Sequence, residues 1–298
     1  VIIKKYQKLN ADTIVQIRRL EAACWAHDGE KDPVYLDDSI HFNQEINHTF
    51  LIFEAGELIG FLHLFLPTAL EAELSGMILP EFRGQGYFSA LFACARQELI
   101  RYNIPDILFV IDTLTEEQNQ SLMKHFGAVY DFSEYVMGLD QASWINSTSE
   151  NGVKLSAADP NDISELTAIS VAAFGDNPAD ARSIIEKSMQ NDSHRKNYTA
   201  RLNCRLIGMS SISYEETDPY VFGFALLPEF QGKGYGRRFL SLLIDKLFSE
   251  GFKQLKLEVD SKNSHALHLY QKTGFNQLNG YAYYRLPVAF IELDNRFD

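Results

Sequence analysis

Cysteine is scarce and unpaired in pattern: Cys24, Cys94 and Cys204 are the whole complement of 298 residues, an odd number with no C-x-x-C spacing. That excludes a disulfide-built scaffold and a zinc knuckle. Cys94, inside an apolar helical pattern, reads as a small core residue. Positive charge is also short, with 27 Lys and Arg against 40 Asp and Glu, a net charge of −13. A general nucleic-acid binder needs the opposite sign to displace counterions, whereas an amine or other cationic substrate suits an acidic chain. No apolar run reaches membrane-spanning length, and no basic start precedes an apolar segment as in a signal peptide. The expectation is a protein of the reducing cytoplasm with no membrane partner. No His, Cys, Asp or Glu spacing marks a metal site. Aromatics, by contrast, are plentiful: 21 Phe and 14 Tyr suit strands and well-filled pockets.

The most informative stretch is Tyr220 to Phe248. Val221 to Leu227 is an almost continuous apolar run, too short for a helix, and Pro228 ends it because it has no N–H to give. Gln231-Gly232-Lys233-Gly234-Tyr235-Gly236 follows, and a helix then starts near Tyr235 with Phe239, Leu242, Leu243 and Leu247 on one face. Alternate glycines ahead of a helix start, with Lys233, Arg237 and Arg238 close by, predict a phosphate site. The spacing is not a Walker loop, because Lys233 is followed by Gly234, nor a dinucleotide fingerprint, whose last interval is longer.

The chain is an internal repeat. Leu79-Pro80-Glu81-Phe82 recurs as Leu227-Pro228-Glu229-Phe230, an offset of 148, and Leu58-Ile59-Gly60 recurs as Leu206-Ile207-Gly208 at the same offset. Equal offsets over so much chain mean two copies of one fold. The expected division is a first domain over 1–140, a polar linker over 141–152 and a second domain over 153–298. Each half carries the order of a mixed sheet with helices on its faces. Expected local elements include a helix capped by Asp12, a weaker helix over Leu36–Ile46, hairpins around Ala55-Gly56 and before Leu206, and a terminal strand or arm over Val288–Leu293.

The pattern Gln231-x-x-Gly234-x-Gly236 after strand and proline resembles the acetyl-CoA loop, Q/R-x-x-G-x-G/A, of the GCN5-related N-acetyltransferase (GNAT) superfamily. A second segment is similar to that superfamily's N-x-x-A-x-x-x-Y-x-x-x-G-F signature, matched by Asn263, Ala266, Tyr270, Gly274 and Phe275. The resemblance implies an α/β (α+β) fold of two tandem acyl-CoA N-acyltransferase domains, each a mixed, largely antiparallel sheet flanked by helices. It implies transfer of an acetyl group from acetyl-CoA to a primary amine by direct attack. The backbones of Ala225, Leu226 and Leu227 would bind the pantetheine arm, with the Leu227 N–H as oxyanion donor. Amides of Gln231, Gly232, Lys233, Gly234, Tyr235 and Gly236, with Arg237, would hold the pyrophosphate. Asn263 and Ala266 would border the thiol-bearing arm, and Tyr270 would protonate the leaving sulfur. Glu216 is the candidate base, with Glu215, Asp218, Glu258 and Asp260 as alternatives.

The copies are not equivalent. The first loop reads Arg83-Gly84-Gln85-Gly86-Tyr87-Phe88, so a large ring stands where the pattern wants Gly or Ala, and Asn119 and Met123 replace the Ala and Tyr of the second signature. A degenerate first copy and acetyl-CoA bound mainly in the second are therefore expected. Two other classes stay open: a non-catalytic acyl-CoA-binding or sensing module, and an interaction scaffold with both loops empty. Among enzymes, a small-molecule amine competes with a peptide or protein amine as acceptor. A monomer whose copies form an internal pseudo-dimer, or a homodimer, fits a tandem chain.

Overall fold

The computed structural model describes residues 1–29, 33–146, 150–190, 194–214 and 217–290. In chain order the first repeat runs β1 (Ile2–Tyr6), α1 (Ala11–Asp28), β2 (Thr49–Glu54), β3 (Glu57–Phe65), β4 (Glu71–Ile78), α2 (Tyr87–Arg101), β5 (Asp106–Asp112), α3 (Glu116–Phe126) and β6 (Val129–Asp140). The second runs β7 (Val153–Ala157), α4 (Ile163–Phe174), α5 (Pro178–Ser188), β8 (Arg195–Leu202), β9 (Arg205–Ser213), β10 (Tyr220–Leu226), α6 (Tyr235–Ser249), β11 (Gln254–Asp260), α7 (Ser264–Thr273) and β12 (Asn276–Pro287).

Two compact units result, and they divide the chain differently from the boundaries drawn on sequence. One is Val1–Ser133 with the chain from Tyr281; the other is Glu134–Gly280. Each repeat's last strand is shared out: Glu134–Asp140 of β6 pairs antiparallel with β11, and Tyr281–Pro287 of β12 pairs antiparallel with β5.

In the first unit β1 to β4 are antiparallel neighbours and β4 runs parallel to β5. Phe50 and Leu51 are both fully buried, in different clusters, because both faces of β2 are covered. On one face α2 contributes Leu91, Phe92, Ala95 and Leu99; on the other α1 contributes Ile17, Leu20 and Cys24. The β2–β3 turn is Ala55-Gly56, with φ of 49° and 90°, the pair of positive values that a tight hairpin requires.

The second unit repeats this plan. β7 to β10 are antiparallel neighbours and β10 runs parallel to β11. The face of α6 buries Leu240, Leu243, Ile244 and Leu247 against Leu255, Leu257, Tyr198 and Ile212. The opposite face packs Leu166 and Ile169 of α4 and Ile185 of α5 against Leu206, Met209 and Ala225.

Three local expectations are corrected. Asn10, not Asp12, caps α1, accepting from the Thr13 N–H at 2.8 Å. Leu36–Ile46 forms turns instead of a helix. Its backbone is diverted by side chains, since the Asp37 carboxylate accepts from Ser39 N–H at 2.8 Å and the Asn43 amide from Glu45 N–H at 2.9 Å, while Phe42 N–H bonds Leu66 O. Val288–Phe290 is a 3-10 turn and not a strand, and the rest of the expected terminal strand lies outside the described residues.

Candidate functional site

The sheet of the second unit opens at β10. Parallel pairing with β11 covers only Tyr220 and Val221. On its other edge β10 pairs with β9 as Ser211↔Phe222 and then Met209↔Ala225, so Ser210 alone opposes both Gly223 and Phe224. This is a β-bulge whose first residue is a glycine in the left-handed region, φ 57°. The glycine inside an apolar strand was the only sequence signal for it.

The ladder beyond the bulge fixes which backbone groups face the opening, as the bond of Leu79 N–H to Ile59 O at 2.9 Å does in the unbulged first repeat. Leu227 N–H donates to Ile207 O at 2.9 Å. It is spent on the β9 side, which corrects its expected role as oxyanion donor. Alternation along an antiparallel ladder turns Ala225, in register with Met209, the same way. Of the three expected residues, Leu226 is the one that turns its backbone to the opening. Its carbonyl is held by Gln231 Nε2 at 2.9 Å, so Gln231 acts through its side chain as well as its loop position, a contact that no motif announces.

The loop beyond has Gly232 and Gly234 at φ 70° and 81°, and Gly234 caps α6 without any side-chain bond. Gly234 itself offers no acceptor to the first-turn amides of α6, a setting that suits an anion. Gly236 lies against β10: a Cβ there would stand 3.0 Å from Leu226 Cδ1. Lys233 folds its ammonium onto Glu229 O at 2.7 Å, and Tyr235 packs its ring 6.1 Å from that of Phe230. Arg237 lies in the first turn of α6, where its carbonyl accepts from Ser241 Oγ at 2.8 Å, and Arg238 pairs with Glu150 at 2.9 Å.

On α7, Asn263 caps the helix by accepting from Ala266 N–H at 3.1 Å. Ala266 packs against the α6-side core. Tyr270 is buried at 6% exposure, its ring centroid 6.4 Å from that of Phe224 in the bulge and 5.9 Å from Phe275. Burial pushes its phenol up to about 12, which keeps it protonated. Tyr270 thus stands beside Phe224 of the bulge, and Gly236 of the loop beside Leu226. Glu216 and Glu215 lie outside the described residues. Among the described residues no cluster of His, Cys, Asp or Glu has the arrangement of a metal site.

The first unit keeps the loop but differs around it. Gly84 and Gly86 have φ of 71° and 82°, close to their counterparts, and Arg83 Nε holds Ile78 O at 2.9 Å as Gln231 holds Leu226 O. Arg83 is fixed further by Asp28, at 2.7 and 2.6 Å, and this guanidinium holds the Asp28 carboxyl below its usual range. The β3–β4 register, however, runs unbroken from Gly60↔Ile78 to Phe65↔Glu73, with no bulge. Phe88 leans on Gly76 of β4, 3.4 Å from where its Cβ would be, and on Phe126 of α3, 6.1 Å between rings. The second unit reverses these volumes, with Phe224 on the strand and Gly236 on the helix. Met123 is a core residue, and Asn119 returns its amide to Thr115 O at 3.0 Å.

Comparison with known proteins agrees with this geometry. The model of the acetyltransferase (GNAT) family matches residues 14–128 and 163–275, most of each repeat. Among curated relatives, a [ribosomal protein bS18]-alanine N-acetyltransferase of Haemophilus influenzae is 38% identical over 77 residues, covering 26% of this chain and 52% of the relative. A second, from Salmonella typhimurium, is 44% identical over 57 residues, 19% of this chain and 38% of the relative. The chain thus spans about half the length, or less, of these relatives. Among solved structures, a GCN5-related N-acetyltransferase from Sphaerobacter thermophilus superposes with a TM-score of 0.75 at 17% identity, covering 96% of this chain and 95% of the other. A tandem GNAT protein from the clavulanic acid biosynthesis pathway gives 0.72 at 12%, covering 96% and 98%; at these identities the likeness is one of fold. The chain belongs to the GNAT acetyltransferase family and carries two GNAT domains in tandem.

Proposed function

We propose that the second unit transfers an acetyl group from acetyl-CoA to a primary amine by direct attack, and that the first unit is a degenerate copy. The observation that carries this reading is the contrast between repeats. Only the second combines a bulged strand, a helix start without a Cβ at Gly236, and a phenol beside the bulge. Amides of Gln231 to Gly236 would hold the diphosphate, and Asn263 Nδ2 with Ala266 would border the thiol-bearing arm. Acetyl-CoA bound there supplies an activated thioester. Leu226 N–H faces the side on which charge would develop on the thioester oxygen. Tyr270 is the proton donor to the departing sulfur, and its burial keeps the phenol protonated for that role. Glu216 stays the candidate base on its position ahead of β10. The protein's acetyl-CoA stoichiometry is then one per chain.

The test is CoA release over a panel of amines, with Tyr270→Phe in parallel. The variant is expected to keep its acetyl-CoA affinity while turnover falls by roughly 10²–10⁴-fold. Unchanged turnover removes Tyr270 as the acid, and tight acetyl-CoA binding with no CoA release from any amine favours a sensing module. A peptide α-amine is the second reading, supported by the alanine N-acetyltransferases among the relatives. Peptides beginning with alanine belong in the panel, and their preference over free amines would decide for it.

A further inference from the structure

The bulge in β10 is absent from β4, although the strands are equivalent copies, so something in the second repeat holds it. Ser210, which opposes the bulge, is fully buried and donates from Oγ to Phe222 O at 3.4 Å. Ser211 Oγ is the one atom within 4 Å of a Cβ built on Gly223, at 3.7 Å. The Ser211 hydroxyl donates to Asn197 Oδ1 at 2.5 Å, Asn197 Nδ2 donates to Ser188 Oγ at 2.6 Å, and the Ser188 hydroxyl donates to Ile185 O at 2.8 Å. All three side chains are buried. The chain of bonds therefore runs from Ser211, beside the bulge, across β9 and β8 to the C-terminal turn of α5, with each donor directed one way. At the matching positions of the first repeat stand Leu62, His63 and Thr49, 148 residues earlier. Leu62 has no hydroxyl for a strand carbonyl, and His63 puts an imidazole where Ser211 puts a small hydroxyl. There the register is unbroken.

We infer that Ser210 and Ser211, the latter tied through Asn197 to Ser188, are positioning residues that clasp the β10 bulge and so hold Phe224 beside Tyr270 where β10 parts from β11. The physical reason is local. A bulge takes carbonyls and amides out of the ladder, and those groups persist in a buried strand only if something else satisfies them. One hydroxyl meets the carbonyl of Phe222, the residue just before the bulge, and the other, bonded to Asn197, fixes β9 opposite it. The kinetic part of this inference rests on the acetyl-transfer reading; the structural part does not.

The experiment follows the Gly223 amide in the full chain by glycine-selective ¹⁵N labelling, with hydrogen exchange of β10, in wild type, Ser210→Ala, Ser211→Ala, the double variant and Ser211→Thr. Each alanine change is expected to raise exchange over Tyr220–Leu226 by roughly five- to tenfold, with Gly232 and Gly234 unmoved. Turnover should fall by a similar factor at unchanged acetyl-CoA affinity, and Ser211→Thr, which keeps the hydroxyl, should restore it. Ser210→Ala alone serves if the double variant does not fold. An unmoved Gly223 amide in a folded double variant overturns the clasp. A moved amide in a protein that acetylates no amine leaves the clasp standing and removes the acetyl-transfer reading instead.

Discussion

Tyr270 shows what a single position adds to a motif. Its place in the N-x-x-A-x-x-x-Y pattern made it the candidate acid, but only the fold buries it beside Phe224 and lifts its pKa to about 12. A phenol so placed keeps its proton throughout the working range, so the log of turnover against pH should show no Tyr270-dependent fall between pH 8 and 10. A fall near 10 that vanishes in Tyr270→Phe would contradict this. His63 is the opposite case, a residue no pattern singled out. It is buried against His41 and His48, with ring centroids 6.2 and 5.3 Å away, and its Nδ1 meets Thr49 Oγ1 at 2.8 Å. Burial, then the neighbouring His48, His41 and Arg18, hold it neutral, well below the usual histidine value; Asp38 stands 3.4 Å from His48. The unfolded chain takes up a proton as pH drops through about 6.5 and the folded chain does not, so stability present above that pH is lost below it. Urea midpoints of the first unit should fall from pH 7.5 to 5.5, and His63→Gln should flatten the fall; equal slopes in both proteins would exclude His63 as the cause.

At the scale of elements, most of the secondary structure was legible, because apolar period and punctuation agree. The strand before Pro228 and the helix from Tyr235 stand where the sequence puts them, and Gly127 and Gly274 end α3 and α7 in left-handed caps. What periodicity could not give is the exchange of volumes around the two openings, since Gly76 with Phe88 and Phe224 with Gly236 both look like ordinary apolar patterns. Gly236→Phe should copy the first repeat, lean on Leu226 and abolish acetyl-CoA binding by calorimetry while the fold persists by circular dichroism. Retained binding would mean that a ring at this position does not by itself exclude acetyl-CoA. The β2–β3 turn gives an independent check on the hairpin. Ala55 holds φ 49°, which costs an L side chain about 1–2 kcal/mol, and asparagine tolerates that region better. Ala55→Asn should therefore raise stability by ~0.5–1 kcal/mol, read as a higher midpoint in denaturant; a lower one would contradict the turn type.

For the molecule as a whole, the repeat was readable and the sharing of strands was not. Tyr281–Pro287 completes the first unit, where Leu286 and Val288 are buried and Arg285 binds Glu71, Asp106 and Asp131 at 2.8, 3.2 and 2.7 Å. A chain ending at Gly280 should lose the first unit's unfolding transition, at a cost of roughly 2–5 kcal/mol for the buried leucine alone, and keep that of Glu134–Gly280. Loss of the second unit's transition instead would reject this division. Among the described residues no helix is long and apolar enough to cross a membrane.

By itself the sequence determined the two copies, their order of strands and helices, the glycine loop and the residues that distinguish one copy from the other, because these depend on the identity and spacing of near neighbours. The tertiary structure alone decided that Leu226 and not Leu227 faces the opening, that Tyr270 is buried, and that each unit borrows its last strand from the other repeat. Those outcomes depend on register and pairing between strands far apart in the chain, which near neighbours in sequence do not fix.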